Sequence, residues 1–245
     1  GLVFAARADA VAAGLAPENV KALAAELQKA EFKVEGQGEV LYFVDPYAEK
    51  QPEIAAAFTK LAGSCKTIKG GDCGPALRAL GYVKEAADVA KKFANEVKKS
   101  GCKTLVVSDP ASYFALKGDS APQGVQVQHS SEFLVALGKK GKKAGQAYYL
   151  DSDYLRNYCD NLAAPRELLT GLGYDLKPFG TNGEESYGVG EGSVIFDQLQ
   201  PELTAKLCAH VRELVDEPGK DLLVVASPYA RWALRKCEST LQVIS

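Results

Sequence analysis

The feature that most constrains this chain is a segment that occurs twice. Residues 105–117 read LVVSDPASYFALK and residues 223–235 read LVVASPYARWALR. At a constant offset of 118 they share Leu, Val, Val, Pro, Ala and Leu, with Phe114 set against Trp232 and Lys117 against Arg235. The offset persists upstream, where Val97 faces Val215 and Gly101 faces Gly219. A helix, a stop and a strand repeated at one spacing read as an internal duplication. Two copies of one α/β unit are expected to pack as two similar, pseudo-symmetric Rossmann-like lobes.

The rest of the chain fits that unit. Val40–Val44 is a short, wholly apolar run, as expected of a strand buried on both faces, and Thr104–Val107, Ala147–Leu150 and Leu222–Val225 read the same way. Helical spacing covers Pro52–Leu61, Val83–Ser100, Pro165–Leu172 and Pro201–Val215, with Gly101 as a C-terminal stop. Loops rich in glycine run over Ile68–Gly74 and Gly180–Gly192, and Asp175–Phe179 reads as extended. Strands alternating with helices imply parallel sheets covered on both faces. The expected organisation is a helical arm over residues 1–35, a first lobe over 36–138 and a second over 144–245. The basic stretch Lys139–Gly145 joins the lobes as a flexible linker. The arm reads as two helices within residues 2–30, broken around Gly14–Asn19. Its apolar stripe of Val11, Leu15, Val20, Leu23 and Leu27 needs a cover, either the chain's own lobes or a partner subunit.

Composition excludes several classes. Lys plus Arg is 29 against 31 Asp plus Glu, so there is no basic field for nucleic acid. No apolar run approaches the length of a membrane span, and the first residues lack the pattern of a secretory signal. The chain starts with Gly and has no Met, which reads as a fragment or an incomplete sequence. Its six cysteines are scattered, with no CxxC, and fit neither a zinc site nor a disulfide framework.

In open α/β sheets, ligands sit beyond the carboxyl ends of the strands. Those ends are Asp45-Pro46, Ser108-Asp109-Pro110, Asp151-Ser152-Asp153 and Ala226-Ser227-Pro228. Asp45, Asp72 and Asp109 are expected to face one crevice in the first half, and Asp151, Asp153 and Glu185 in the second. Carboxylates so gathered suit a hard cation, for which Asp45, Asp72, Asp109, Asp151 and Asp153 are the candidates. The alternative, that they cap helices and begin turns, is preferred. Gly188-Val189-Gly190-Glu191-Gly192 lies too late in its half for a dinucleotide fingerprint. His129 and His210 have no nucleophile at a recognisable spacing. Lys69, Lys139, Lys140, Lys142 and Lys143 read as a solvated face, with an acidic partner surface as the alternative.

Taken together, these segments resemble the CCG cysteine-rich iron–sulfur family, which includes the cysteine-rich component of heterodisulfide reductase and the iron–sulfur subunits of glycolate oxidase and anaerobic glycerol-3-phosphate dehydrogenase. The resemblance spans essentially the whole chain, and residues 4–31 resemble the linker helices that follow a ferredoxin domain in fused members. It implies two halves, each bearing a single Cys after the first strand, a Cys-Cys-Gly, and a Cys-Pro-x-Cys after the last strand. The first of these falls on Pro46, ahead of Tyr47-Ala48. Cys-Cys-Gly falls on Asp72-Cys73-Gly74, and Cys-Pro-x-Cys on Asp109-Pro110-Ala111-Ser112. In the second half the single Cys falls on Asp153, with Pro165-Arg166-Glu167 at the family's distance. The second Cys-Cys-Gly falls on Ser186-Tyr187-Gly188, and the last Cys-Pro-x-Cys on Ser227-Pro228-Tyr229-Ala230.

Of the ten ligand positions only Cys73 keeps its cysteine. An iron–sulfur cluster commonly takes about four thiolates, so the expectation is no catalytic residue and no cofactor. The chain is then a non-catalytic scaffolding subunit of an electron-transfer complex, cytoplasmic, reaching a membrane only through partners. Those partners are a flavoprotein or ferredoxin-like subunit. The alternative is a redox-active iron–sulfur subunit with a bound cluster.

Overall fold

The computed structural model describes residues 2–118, 120–180, 183 and 188–245. It opens with α1 (Leu2–Ala12) and α2 (Glu18–Leu27), the two helices expected of the arm. α1 buries none of its residues, although Arg7 donates from Nη1 to the carbonyl of Ala79 at 2.8 Å. α2 is seated more firmly: Ala24 is fully buried, and Val20, Leu23 and Leu27 pack on the core of the first half. The chain's own lobe therefore covers the α2 part of the stripe, while Leu15 stays 74% exposed.

The first half contains β1 (Lys33–Gly36), β2 (Val40–Phe43), α3 (Pro46–Glu49), α4 (Pro52–Ala62), β3 (Lys66–Lys69), α5 (Pro75–Leu80) and α6 (Val83–Ser100). β4 (Thr104–Val107), α7 (Pro110–Lys117), β5 (Gln126–His129) and α8 (Ser130–Ala136) complete it. Its sheet runs β1-β3-β2-β4-β5, parallel except for β1. The apolar runs are buried on both sides, as unbroken strand hydrophobicity requires. Leu41, Phe43, Leu105 and Val107 face one core, where Phe93 meets Phe32 and Phe43 edge-on at 5.0 and 4.8 Å. Tyr42 and Val106 face the other, where Tyr42 stacks on Phe58 at 4.1 Å.

The second half contains β6 (Gly145–Leu150), α9 (Asp153–Asn157), α10 (Ala163–Gly171), β7 (Tyr174–Leu176), α11 (Phe196–Leu199), α12 (Pro201–Glu213), β8 (Leu222–Val225), α13 (Pro228–Cys237) and β9 (Gln242–Ile244). Its sheet runs β7-β6-β8-β9, all parallel. The register sets Leu41 beside Leu105 in the first sheet and Tyr148 beside Leu223 in the second. The repeated sequence thus occupies β4–α7 in one sheet and β8–α13 in the other, at the same place in the strand order. The chain is mixed α/β with two parallel-rich sheets, and among the described residues no helix is long and apolar enough to cross a membrane.

Some elements differ from the sequence reading. The loop expected over Ile68–Gly74 begins as strand β3, because Ile68 is fully buried between two neighbours. The stretch expected to be a flexible linker is tied down: Gly141 and Ala144 donate their N–H groups to the carbonyls of Gly171 and Gly173, both at 2.9 Å.

The halves share their cores. Tyr154, Leu155, Val194 and Ile195 sit in the first half's core, and Tyr47 sits in the second's, edge-on to Tyr229 at 5.0 Å. Gln51 donates to the carbonyl of Pro228 at 2.9 Å and accepts from the buried Arg231 guanidinium at 3.0 Å. Arg231 also reaches Glu53 at 2.9 Å, and Tyr47 donates to Asp197 at 2.6 Å. Such interlocking predicts one cooperative unfolding transition, with fluorescence of the single Trp232 and far-UV circular dichroism coincident. Arg231→Ala is expected to lower stability by about 2 kcal/mol, because it strands the buried Gln51 carbonyl. Two separated transitions in urea would show instead that the halves fold independently.

Candidate functional site: the carboxyl edges of the two sheets

Each parallel strand that runs into a helix delivers unpaired N–H groups to the carboxyl edge of its sheet. The residues there answer that need. Asp45 Oδ1 accepts from Tyr47 N at 2.9 Å and Ala48 N at 3.1 Å. Asp72 Oδ1 accepts from Gly74 N at 2.8 Å and Ala76 N at 3.1 Å, and Asp109 Oδ2 from Ser112 N at 2.8 Å. In the second half the Oγ atoms of Ser152 and Ser227 accept from Leu155 N and Ala230 N, both at 3.2 Å. Pro46, Pro110 and Pro228 each begin a helix, where the missing N–H costs nothing. His129 caps α8 with its ring, and Glu132 returns the bond to the His129 N–H at 3.0 Å.

The first half's three acids can be placed by their burial and their pairwise influence. Asp45, Asp72 and Asp109 are all buried, and the charge of Asp109 acts on both of the others. The second half adds a residue that the sequence reading passed over. Glu191 is 3% exposed, accepts from Ser152 Oγ at 2.6 Å, and feels the charges of Asp153 and Asp109. Its only signal in the sequence was a lone acid between two glycines of the Gly188–Gly192 run. The glycines have a packing reason: Gly188 lies so close to the Asp153 carboxylate that a Cβ would have no room.

Burial sets the proton affinities here. It pushes Asp72 and Glu191 each up to about 7. It also raises Asp109 and Asp153, and it raises Asp45 well above the usual range with help from Asp109. Asp45 Oδ2, Ser112 Oγ and Glu191 Oε1 are buried without a hydrogen bond of standard geometry. Since Asp45 Oδ1 takes the two backbone N–H groups, a proton on this carboxyl belongs on Oδ2. Asp151 behaves differently. Its two oxygens accept both ends of the Arg166 fork at 2.6 and 2.7 Å, with Gly183 N adding a third bond at 3.0 Å. Asp151 is therefore engaged rather than open to a cation. Among the described residues no group of three or more His, Cys, Asp and Glu side chains is arranged to hold a metal ion.

The positions that the sequence resemblance aligns with cluster ligands have other engagements. Cys73 is 1% exposed beside Ser112, and burial followed by the charge of Asp72 raises its thiol well above the ordinary value. Asp72, Asp109 and Ser227 accept backbone N–H groups, while Pro46 and Ala230 carry no donor atom. Asp153 accepts from Gly192 N at 3.3 Å and pairs with Arg156 at 3.5 Å. Ser186, Tyr187 and the expected Glu185 lie outside the described residues. One thiol held in its neutral form does not fit a group that takes about four thiolates. His210 sits away from this edge, 3.8 Å from Glu213 on α12.

No protein-family model matches the chain, and a search of curated proteins returns no match.

The raised carboxyls make stability depend on pH. Between 4.5 and about 7 the native state keeps a proton on Glu191 that the unfolded chain has shed, and Asp72 does the same from 3.8 upward. Their stabilisation is full at acid pH and is lost as pH rises through about 7. His129, lowered to about 4 by burial, opposes them, costing stability as pH falls from 6.5. Two carboxyls against one imidazole leave a net loss of stability on raising pH from 4.5 to 7. Glu191→Gln is expected to flatten that slope by up to about 3 kcal/mol in urea titrations. A wild-type profile already flat, or a slope unchanged in the variant, would refute the buried protonated acid.

Proposed function

We propose that the chain is a non-catalytic structural subunit of an electron-transfer complex of the heterodisulfide reductase or dehydrogenase type, keeping an iron–sulfur frame for its shape. The observation that carries this reading is the use of the strand-end residues. Asp72, Asp109 and Ser227 stand where the family pattern has cysteine, and all three accept N–H groups at helix starts. We read the two lobes as Rossmann-like copies from an internal duplication. The matching orders β3-β2-β4-β5 and β7-β6-β8-β9 support this, as does the place of the repeated segment in each. The partner is a flavoprotein or ferredoxin-like subunit in the cytoplasm, and the arm, with Leu2 and Leu15 exposed, is its docking element.

Anaerobic reconstitution with ferrous iron and sulfide tests the reading. After desalting, the chain is expected to hold substoichiometric iron and to lack the visible charge-transfer absorbance of a cluster. The variant Pro46→Cys/Asp72→Cys/Asp109→Cys/Ser112→Cys serves as the positive control for the frame. Stoichiometric iron and sulfide in the wild-type chain would overturn the proposal and restore the alternative, a redox-active iron–sulfur subunit.

A further inference from the structure

A cavity of about 200 Å³ lies between the halves, on the side of the sheets away from the α6 and α12 cores. One wall is Tyr42, Phe58 and Leu134 of the first half, and the other is Tyr149, Leu169 and Val224 of the second. All six are buried side chains, so the walls are built and not a surface dimple. An apolar cavity of about 150 Å³ is enough to take up a benzene ring, and pockets for drug-sized ligands begin at about 300 Å³. The space suits one ring or a short chain with a small substituent.

The chemistry of the wall narrows the ligand further. No Asp, Glu, Lys or Arg side chain lines it among the described residues. Its buried polar groups are engaged with one another: Tyr42 Oη with Ser108 Oγ at 2.8 Å, His129 Nδ1 with Ser131 Oγ at 2.8 Å, and His129 Nε2 with the Ser108 carbonyl at 3.3 Å. Burial keeps His129 neutral at physiological pH. Tyr149 differs. It is 4% exposed, and its hydroxyl makes no hydrogen bond among the described residues. Burial and the charge of Asp151 hold that phenol protonated, so it can donate. Arg166 lies over its ring at 5.0 Å and is spent on Asp151. Its oxygen keeps some accessible surface and the residue lines the cavity, so a bound acceptor can take the place of solvent at this donor.

We propose that this cavity binds a small uncharged molecule, one ring or a short chain in size, whose single hydrogen-bond acceptor meets the Tyr149 hydroxyl. The site borders the carboxyl edge through Ser108, His129 and Pro228 but includes none of its acidic side chains, and it does not depend on the scaffold reading. The test is ¹⁹F NMR titration of the full chain with 4-fluoroacetophenone, which has an acceptor, and with fluorobenzene, which has none. Both probes are expected to bind saturably, the ketone more tightly. Tyr149→Phe should weaken the ketone about fivefold, as one neutral hydrogen bond implies, and leave fluorobenzene unchanged. Ala57→Trp, an exposed position at the cavity mouth that leaves the core intact, should abolish both. Absence of saturable binding, binding that survives Ala57→Trp, or ketone affinity indifferent to Tyr149→Phe would each overturn the proposal.

Discussion

A helix that starts directly after a parallel strand points its first N–H groups at the carboxyl edge of the sheet, and those groups must find acceptors. That requirement organises this molecule. Asp45, Asp109, Ser152, Ser227 and His129 meet it where strands give way to helices, and Asp72 meets it from the loop after β3. Because the two sheets share a crevice, satisfying each helix locally brings acidic groups from both halves together. Burial raises the proton affinity of Asp45, Asp109 and Glu191, and the charge of Asp109 adds to it at Asp45 and Glu191.

On the proposed reading, the same requirement accounts for a change of ligand-type positions with the frame retained. A thiolate at a helix start provides negative charge near unpaired N–H groups, and a carboxylate or hydroxyl at that place provides an acceptor for them. Exchanging Cys for Asp or Ser is then mild for the helix and severe for a cluster. On the reading proposed here, selection for shape alone suffices to keep Asp72, Asp109 and Ser227. Gly74 is kept for backbone reasons: at φ +127, with Ala86 O against the place of a Cβ, it admits no side chain without strain.

Much of the architecture was legible because it rests on local pattern. The apolar runs gave β2, β4, β6 and β8, and helical spacing with Gly101 as a stop gave α6 to the residue. Strands β3 and β5 were hidden because each has a single apolar residue, Ile68 or Val127, among polar neighbours, and only the adjoining strands make them strands. The capping roles of Asp45 and Asp109 could be read from strand ends. The capture of Asp151 by Arg166 could not, since a bidentate pair between residues of different elements leaves no trace in spacing. Glu191 was masked by its glycine-rich surroundings, which resemble a loop of another kind. The bonds of Gln51 to Pro228 and Arg231 span most of the chain and exist only once both halves are folded.

The most direct test of the account is a side-chain ¹³C NMR titration of the Asp and Glu carboxyl carbons, with Asp72 and Glu191 assigned by substitution. Midpoints near 7 for both, unmoved when ferrous iron and sulfide are added, are what a capped, proton-sharing edge predicts. Midpoints in the ordinary carboxylate range, or resonances of these two groups lost to paramagnetic broadening on adding iron, would contradict it.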